Sequence, residues 1–157
     1  MTMSDGSRLA SLHVGWALAA AVCVAAIWGN SLVPGTQSSG LSMLVVQHIR
    51  AMLSALGMSS GWVTNLLVRK IGHVSEYALF GFAHARAWGV CGHDRGCRTS
   101  VGLMACAVAI PVVDETIQLF VPGRMGLATD VLIDCAGIAL GFAAHDLAVR
   151  HRARARR

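Results

Sequence analysis

Along this chain, unbroken apolar runs alternate with runs interrupted by charge. Residues 14–32, VGWALAAAVCVAAIWGNSL, carry no charge at all. A bilayer-crossing helix needs about 20 mainly apolar residues, so this run predicts a first span. Three further runs, roughly 71–90, 101–121 and 131–149, have similar length, but each contains ionisable groups. Between the first and second runs, PGTQSSG reads as a loop. In LSMLVVQHIRAMLSALG, which follows, Leu41, Leu44, Val45, Ile49, Met52, Leu53 and Leu56 recur at helical spacing, with Ser42, Gln47, Arg50 and Ser54 opposite. The pattern predicts an all-α membrane protein: a four-helix transmembrane bundle with an amphipathic helix over 41–56. That helix lies along the outer membrane surface, and Trp62 anchors the chain that follows it. A single domain covers residues 1–157. Arg8 precedes the first run as it would in a signal peptide, but the run is longer than an ordinary h-region and no clear A-x-A site follows. The reading is a retained span.

Composition supports this class. Hydrophobic residues make up 55% and charged residues 13%, against about 25% charged in soluble domains. The net charge of +5 is concentrated in the 150–157 tail, RHRARARR. In a membrane protein, such a tail reads as a cytoplasmic contact with anionic lipid rather than as a nucleic-acid arm. Four spans put both termini on one side. With the termini cytoplasmic, the thirteen Lys and Arg residues divide nine inside to four outside (Arg50, Arg69, Lys70 and Arg124). This division favours that orientation. Five cysteines, Cys23, Cys91, Cys97, Cys106 and Cys135, do not form a disulfide framework. CGHDRGC, with Cys91, His93, Asp94 and Cys97, has no second pair to complete a zinc site. No metal ligand set and no cofactor is assigned.

The ionisable groups within the spans are the candidate chemistry. In this topology Lys70, His73, Glu76 and Tyr77 lie at the outer end of the second span. Asp114, Glu115 and Gln118 lie in the outer half of the third, Arg124 in the loop beyond it, and Asp130 and Asp134 in the first turns of the fourth. At 1.5 Å per residue, all fall within about 12 Å of the outer interface. Lys70, His73, Tyr77, Phe80 and His84 share one helix face. Asp114 and Gln118 are i, i+4, as are Asp130 and Asp134. Intramembrane ionisable groups turn towards each other and mark functional sites. The expectation is a polar pocket open to the outside, in which some pairs, such as Arg124 with Asp130, are structural. Pro111 adds a kink or a tolerated membrane proline near the acids.

RKIGHVSEYALFGF, followed by DETIQLFVPGRMGLATDVLIDCAGIALG, resembles the VanZ-like family of small bacterial membrane proteins. The family pattern falls on Lys70, His73 and Tyr77, then on Asp114, Glu115, Gln118 and Phe120. Pro122, Arg124, Asp130, Asp134 and Gly137 complete it, and GNSLVPG is similar to the family's outer loop. Asp134 is a departure, since asparagine is common there, and it adds a negative charge. The resemblance implies a cell-envelope role in the bacterial cytoplasmic membrane. Low-level resistance to the glycopeptide teicoplanin is one outcome associated with the family.

Three functions fit these residues. The first is a binder whose outer pocket takes a membrane lipid or a lipid-linked or amphiphilic envelope ligand. The acids would take an amine, Arg69, Lys70 and Arg124 a phosphate, and the 41–56 helix would act as a lid. The second is a membrane enzyme using His73, Glu76, Asp114 and Glu115 as acid/base groups or as holders of a divalent cation. No H-E-x-x-H or nucleophile elbow supports it. The third is a transporter or proton relay, opposed by the crowding of polar groups at one leaflet. Gly137 and Gly141 form a small-residue face that packs within the monomer or makes a homodimer.

Overall fold

The computed structural model describes residues 13–89 and 97–155, and all five of its elements are α-helices: α1 (Val14–Ser31), α2 (Gly35–Ala55), α3 (Asn65–Trp88), α4 (Cys97–Leu119) and α5 (Ala128–Arg154). Residues 91–96 of the CGHDRGC stretch, with its Cys91, His93 and Asp94, lie outside the described residues, as do Arg156 and Arg157 of the tail.

Three helices, α1, α4 from Val101 onward and α5, are long and apolar enough to cross a membrane. Each leaves most of its apolar surface uncovered by protein. On α1, Val14, Leu18 and Val22 recur every fourth residue as an exposed stripe. Contiguous apolar surface of this extent suits a lipid environment far better than water. The 24-residue α3 is not among these helices, because Arg69, Lys70, His73, Glu76 and Arg86 interrupt it. Yet α3 is central: it packs most extensively on α5, then on α1, and also meets α2. Its inward face buries Tyr77, Phe80, Gly81, Ala83, Ala85 and Ala87.

Small residues allow the α3–α5 approach. A Cβ on Gly137 would lie 2.8 Å from the Val74 carbonyl oxygen, and one on Gly141 would land on backbone atoms of Ala78 and Phe82. The Gly137–Gly141 face therefore packs against α3 within the monomer.

All four helices after α1 start earlier than the sequence predicts, α2 and α3 by six residues each. PGTQSSG is not a loop: α2 begins at Gly35, directly after Pro34. Pro34 accepts no helical role itself but its carbonyl takes the Ser38 N–H at 3.1 Å. The α3 helix begins at Asn65, where the Thr64 hydroxyl accepts the Leu67 N–H at 3.2 Å as an N-cap. At its other end, Gly89 adopts the left-handed conformation that stops the helix. The α4 helix runs unbroken through Pro111.

Antiparallel packing sets the ends. The His13 N–H donates to the Ala87 carbonyl at 2.8 Å, joining the start of α1 to the end of α3. At the opposite end, the Gly35 N–H donates to the Pro122 carbonyl at 3.0 Å, tying the α1–α2 connection to the α4–α5 connection. Gly123, at φ 74°, turns the chain there and leaves no room for a side chain on Gly35.

Candidate functional site

The ten site residues expected from the sequence gather at the end of the bundle where α1 stops and α5 begins. Gln118 of α4 is a hub. Its amide nitrogen donates to Ser31 Oγ at 3.2 Å, Asp114 Oδ2 at 3.2 Å and Glu115 Oε1 at 3.3 Å. Glu115 Oε2 accepts the Leu127 N–H at 2.8 Å, fixing the start of α5. Glu115 is thus held on both oxygens by structural contacts.

Arg124 does not pair with Asp130, contrary to the sequence expectation. Its Nε donates to the Val33 carbonyl at 3.0 Å and its Nη2 to the Asn30 carbonyl at 2.6 Å. The guanidinium therefore caps carbonyls at the α1 C-terminus, where positive charge is favoured. Lys70 takes Asp130 instead, at 3.0 Å, in a partly exposed ion pair. The sequence spacing does not reveal this exchange, because it depends on how α3 and α5 cross.

Deeper in the bundle lies a second group. His73 Nδ1 is 3.4 Å from Asp134 Oδ1, and the His73 and Tyr77 rings stack at 6.5 Å. Asp114, Asp134 and Tyr77 are each 0% exposed. His73, Asp114 and Asp134 each bring one ligand-type atom within 4.8 Å of the other two. Asp114 Oδ1, both Asp134 oxygens and the Tyr77 hydroxyl lack a well-formed hydrogen bond, although Tyr77 approaches Asp114 and His73 approaches Asp134 as loose pairs. Tyr77 is within electrostatic reach of both aspartates.

A cavity of about 230 Å³ opens beside this group. His73 and Glu76 line its polar side. Leu41 and Val45 of α2 and Val68 of α3 give it an apolar wall, and Arg69 and Arg124 reach it from different elements. Burial and, next, the neighbouring Arg69 charge push the Arg124 guanidinium below its ordinary pKa, while Asp114, Glu115 and Glu76 oppose the shift. Two guanidinium charges therefore meet near one opening. Lys70, by contrast, is engaged with Asp130 and does not line the cavity.

The sequence reading did not select Ser38, Ser42 or Gly72 as lining residues. Their signal was present in the spacing. Arg69, Gly72, His73 and Glu76 follow 3,1,3 steps on one face of α3, and Ser38, Leu41, Ser42 and Val45 do so on α2.

No curated protein and no solved structure matches the chain significantly. The family described as VanZ/LLP1 matches residues 16–148, which include all ten site residues and most of every helix. With its three membrane-length apolar helices, this chain is a membrane protein that belongs to the VanZ/LLP1 family.

Proposed function

We propose that this protein binds an amphiphile with a phosphate head, a membrane lipid or a lipid-linked envelope ligand, in the cavity between α1, α2 and α3. The observation that carries the reading is the cavity lining. Arg69 supplies a forked cation, Arg124 adds the charge of a guanidinium whose Nε and Nη2 already hold carbonyls of the α1 end, and Leu41, Val45 and Val68 supply an apolar wall. Guanidinium groups suit phosphate oxygens, and apolar walls suit the chain attached to them. At about 230 Å³ the cavity takes a head group and its first carbons. The rest of the chain then continues into the bilayer along the exposed apolar residues of α2, Leu41, Leu44 and Met52.

In this reading α3 is the fourth span, its polar face shielded by α1 and α5. The α2 helix lies in the outer interface as the wall and lid of the cavity, and both termini are in the cytoplasm of a bacterial cell. The protein is a multi-pass protein of the cytoplasmic membrane and acts on the cell envelope. Teicoplanin tolerance is one outcome of such a role, because the drug itself carries an acyl chain.

A second reading, acid/base chemistry on the bound head group, is favoured by His73, which faces both the cavity and Asp134. A relay across the membrane has less support. Phe80, 3% exposed, separates Tyr77 from His84 on the α3 face.

The test is binding of a polyprenyl phosphate and of the matching polyprenol to the full chain in lipid nanodiscs. The phosphate should bind and the alcohol should not. Arg69→Gln should weaken the phosphate by about tenfold, the scale of one charge-assisted hydrogen bond. The same variant, at matched membrane levels in a Gram-positive host, should lose whatever teicoplanin tolerance the wild type confers. Equal binding of phosphate and alcohol, or an unchanged Arg69→Gln variant, would sink the proposal.

A further inference from the structure

We propose that His73, Asp114, Asp134 and Tyr77 form a site for one divalent transition cation of the Mn²⁺ or Zn²⁺ type. The site lies at the inner side of the cavity, and its existence does not depend on what the cavity binds.

The first observation is the ligand set. One imidazole and two carboxylates come from three different helices, α3, α4 and α5, and their ligand atoms already lie within 4.8 Å of one another. Ligand atoms around a small divalent cation sit about 3 Å apart, given bonds of about 2.1 Å. Separations that shrink by up to about 1.8 Å, within reach of side-chain rotation on three helices, close the set. Mixed nitrogen and oxygen donors suit Mn²⁺ and Zn²⁺ better than Mg²⁺ or Ca²⁺, which prefer oxygen alone.

The second observation is a neighbouring hydroxyl. The Tyr77 hydroxyl belongs to a fully buried residue and approaches Asp114 of the set without making a well-formed hydrogen bond to it. A buried hydroxyl held so loosely is costly. A cation in the set, or a water bound to it, gives that hydroxyl a firmer partner.

The third observation is charge. Asp114 and Asp134 are fully buried, and three of their four oxygens lack a well-formed hydrogen bond, His73 Nδ1 coming only within 3.4 Å of Asp134 Oδ1. The nearby cations are engaged elsewhere, Lys70 with Asp130 and Arg124 with carbonyls of the α1 end. His73 is the one basic side chain within ion-pair distance of Asp134 among the described residues, and none is within that distance of Asp114. Two buried carboxylates beside one imidazole leave a negative charge that a divalent cation neutralises. Gln118 fixes Asp114 through Oδ2 and leaves Oδ1 free for the set. This is the orienting contact that ligating carboxylates commonly have. His73 also lines the cavity, so an open coordination position would face it.

The experiment uses the full chain in detergent, stripped with chelator and titrated with Mn²⁺ while the free Mn²⁺ signal is followed by electron paramagnetic resonance. Zn²⁺ then competes for the same site. One cation per chain is expected, displaced by Zn²⁺, with a rise in the thermal midpoint of the wild type on adding either metal. Asp134→Asn and His73→Ala should each weaken Mn²⁺ at least tenfold. Asp130→Asn, an acid in the same region but paired with Lys70, should change it less than twofold. If the wild type takes up neither metal and its midpoint does not move, a proton rather than a cation balances the aspartates and the proposal is wrong. It is equally wrong if Asp134→Asn and His73→Ala both bind like the wild type.

Discussion

Gln118 offers two hydrogens to three oxygens, those of Ser31, Asp114 and Glu115, all 3.2–3.3 Å from one nitrogen. At least one of these bonds is shared. The amide therefore links α1 to α4 and orients two acids of its own helix at once. Gln118→Leu keeps the volume but leaves buried acceptors without a donor. It should destabilise the protein by about 1–3 kcal/mol, the cost of stranding a buried polar group. Gln118→Glu should be worse, because it adds a third carboxylate beside Asp114 and Glu115. Thermal unfolding in detergent reads both, and a Leu variant as stable as the wild type would refute the hub role. The i, i+4 spacing of Asp114 with Gln118 made this contact legible in the sequence. The choice of Lys70 over Arg124 as the Asp130 partner was not legible, because it is decided by how α3 and α5 cross, which no periodicity encodes.

Among the elements, α3 and α5 depend on close backbone approach. Gly81, Gly137 and Gly141 all leave no space for a Cβ, whereas Gly29 of α1 has none of its neighbours within 4 Å. Gly141→Leu should push the two helices apart, at about 1–3 kcal/mol by overpacking, and should disturb His73 against Asp134. Gly29→Leu should do neither. The midpoints of the two variants, compared in one detergent, decide the matter. The apolar run of α1 was fully legible because nothing interrupts it. The early start of α2 was hidden because Gly, Ser, Thr and Gln suggest a turn, and only the seating of Gly35 on Gly123 makes helix there the better choice. The early start of α3 was hidden for another reason: Asn65, Arg69 and Lys70 depress hydropathy although Thr64 caps them.

For the molecule as a whole, the proposed four-span arrangement puts the polar cluster outside and the basic end of α5 inside. Met125, well exposed in the α4–α5 connection, and Arg154, exposed at the end of α5, are the natural reporters. In a background without native cysteines, Met125→Cys should react with an impermeant thiol reagent applied outside intact cells. Arg154→Cys should react only after permeabilisation. Labelling of both from the same side would rule out the four-span arrangement. The polarity of α3 also bears on how the protein is made. This helix leaves the ribosome well before α5, its most extensive partner, and until then Asp134 is not present to meet His73. With α3 as the proposed fourth span, the insertion machinery has to hold a half-polar segment beside α1 while the rest of the chain is translated. A ribosome that stalls before α5 leaves a segment the lipid rejects, which quality-control proteases can recognise.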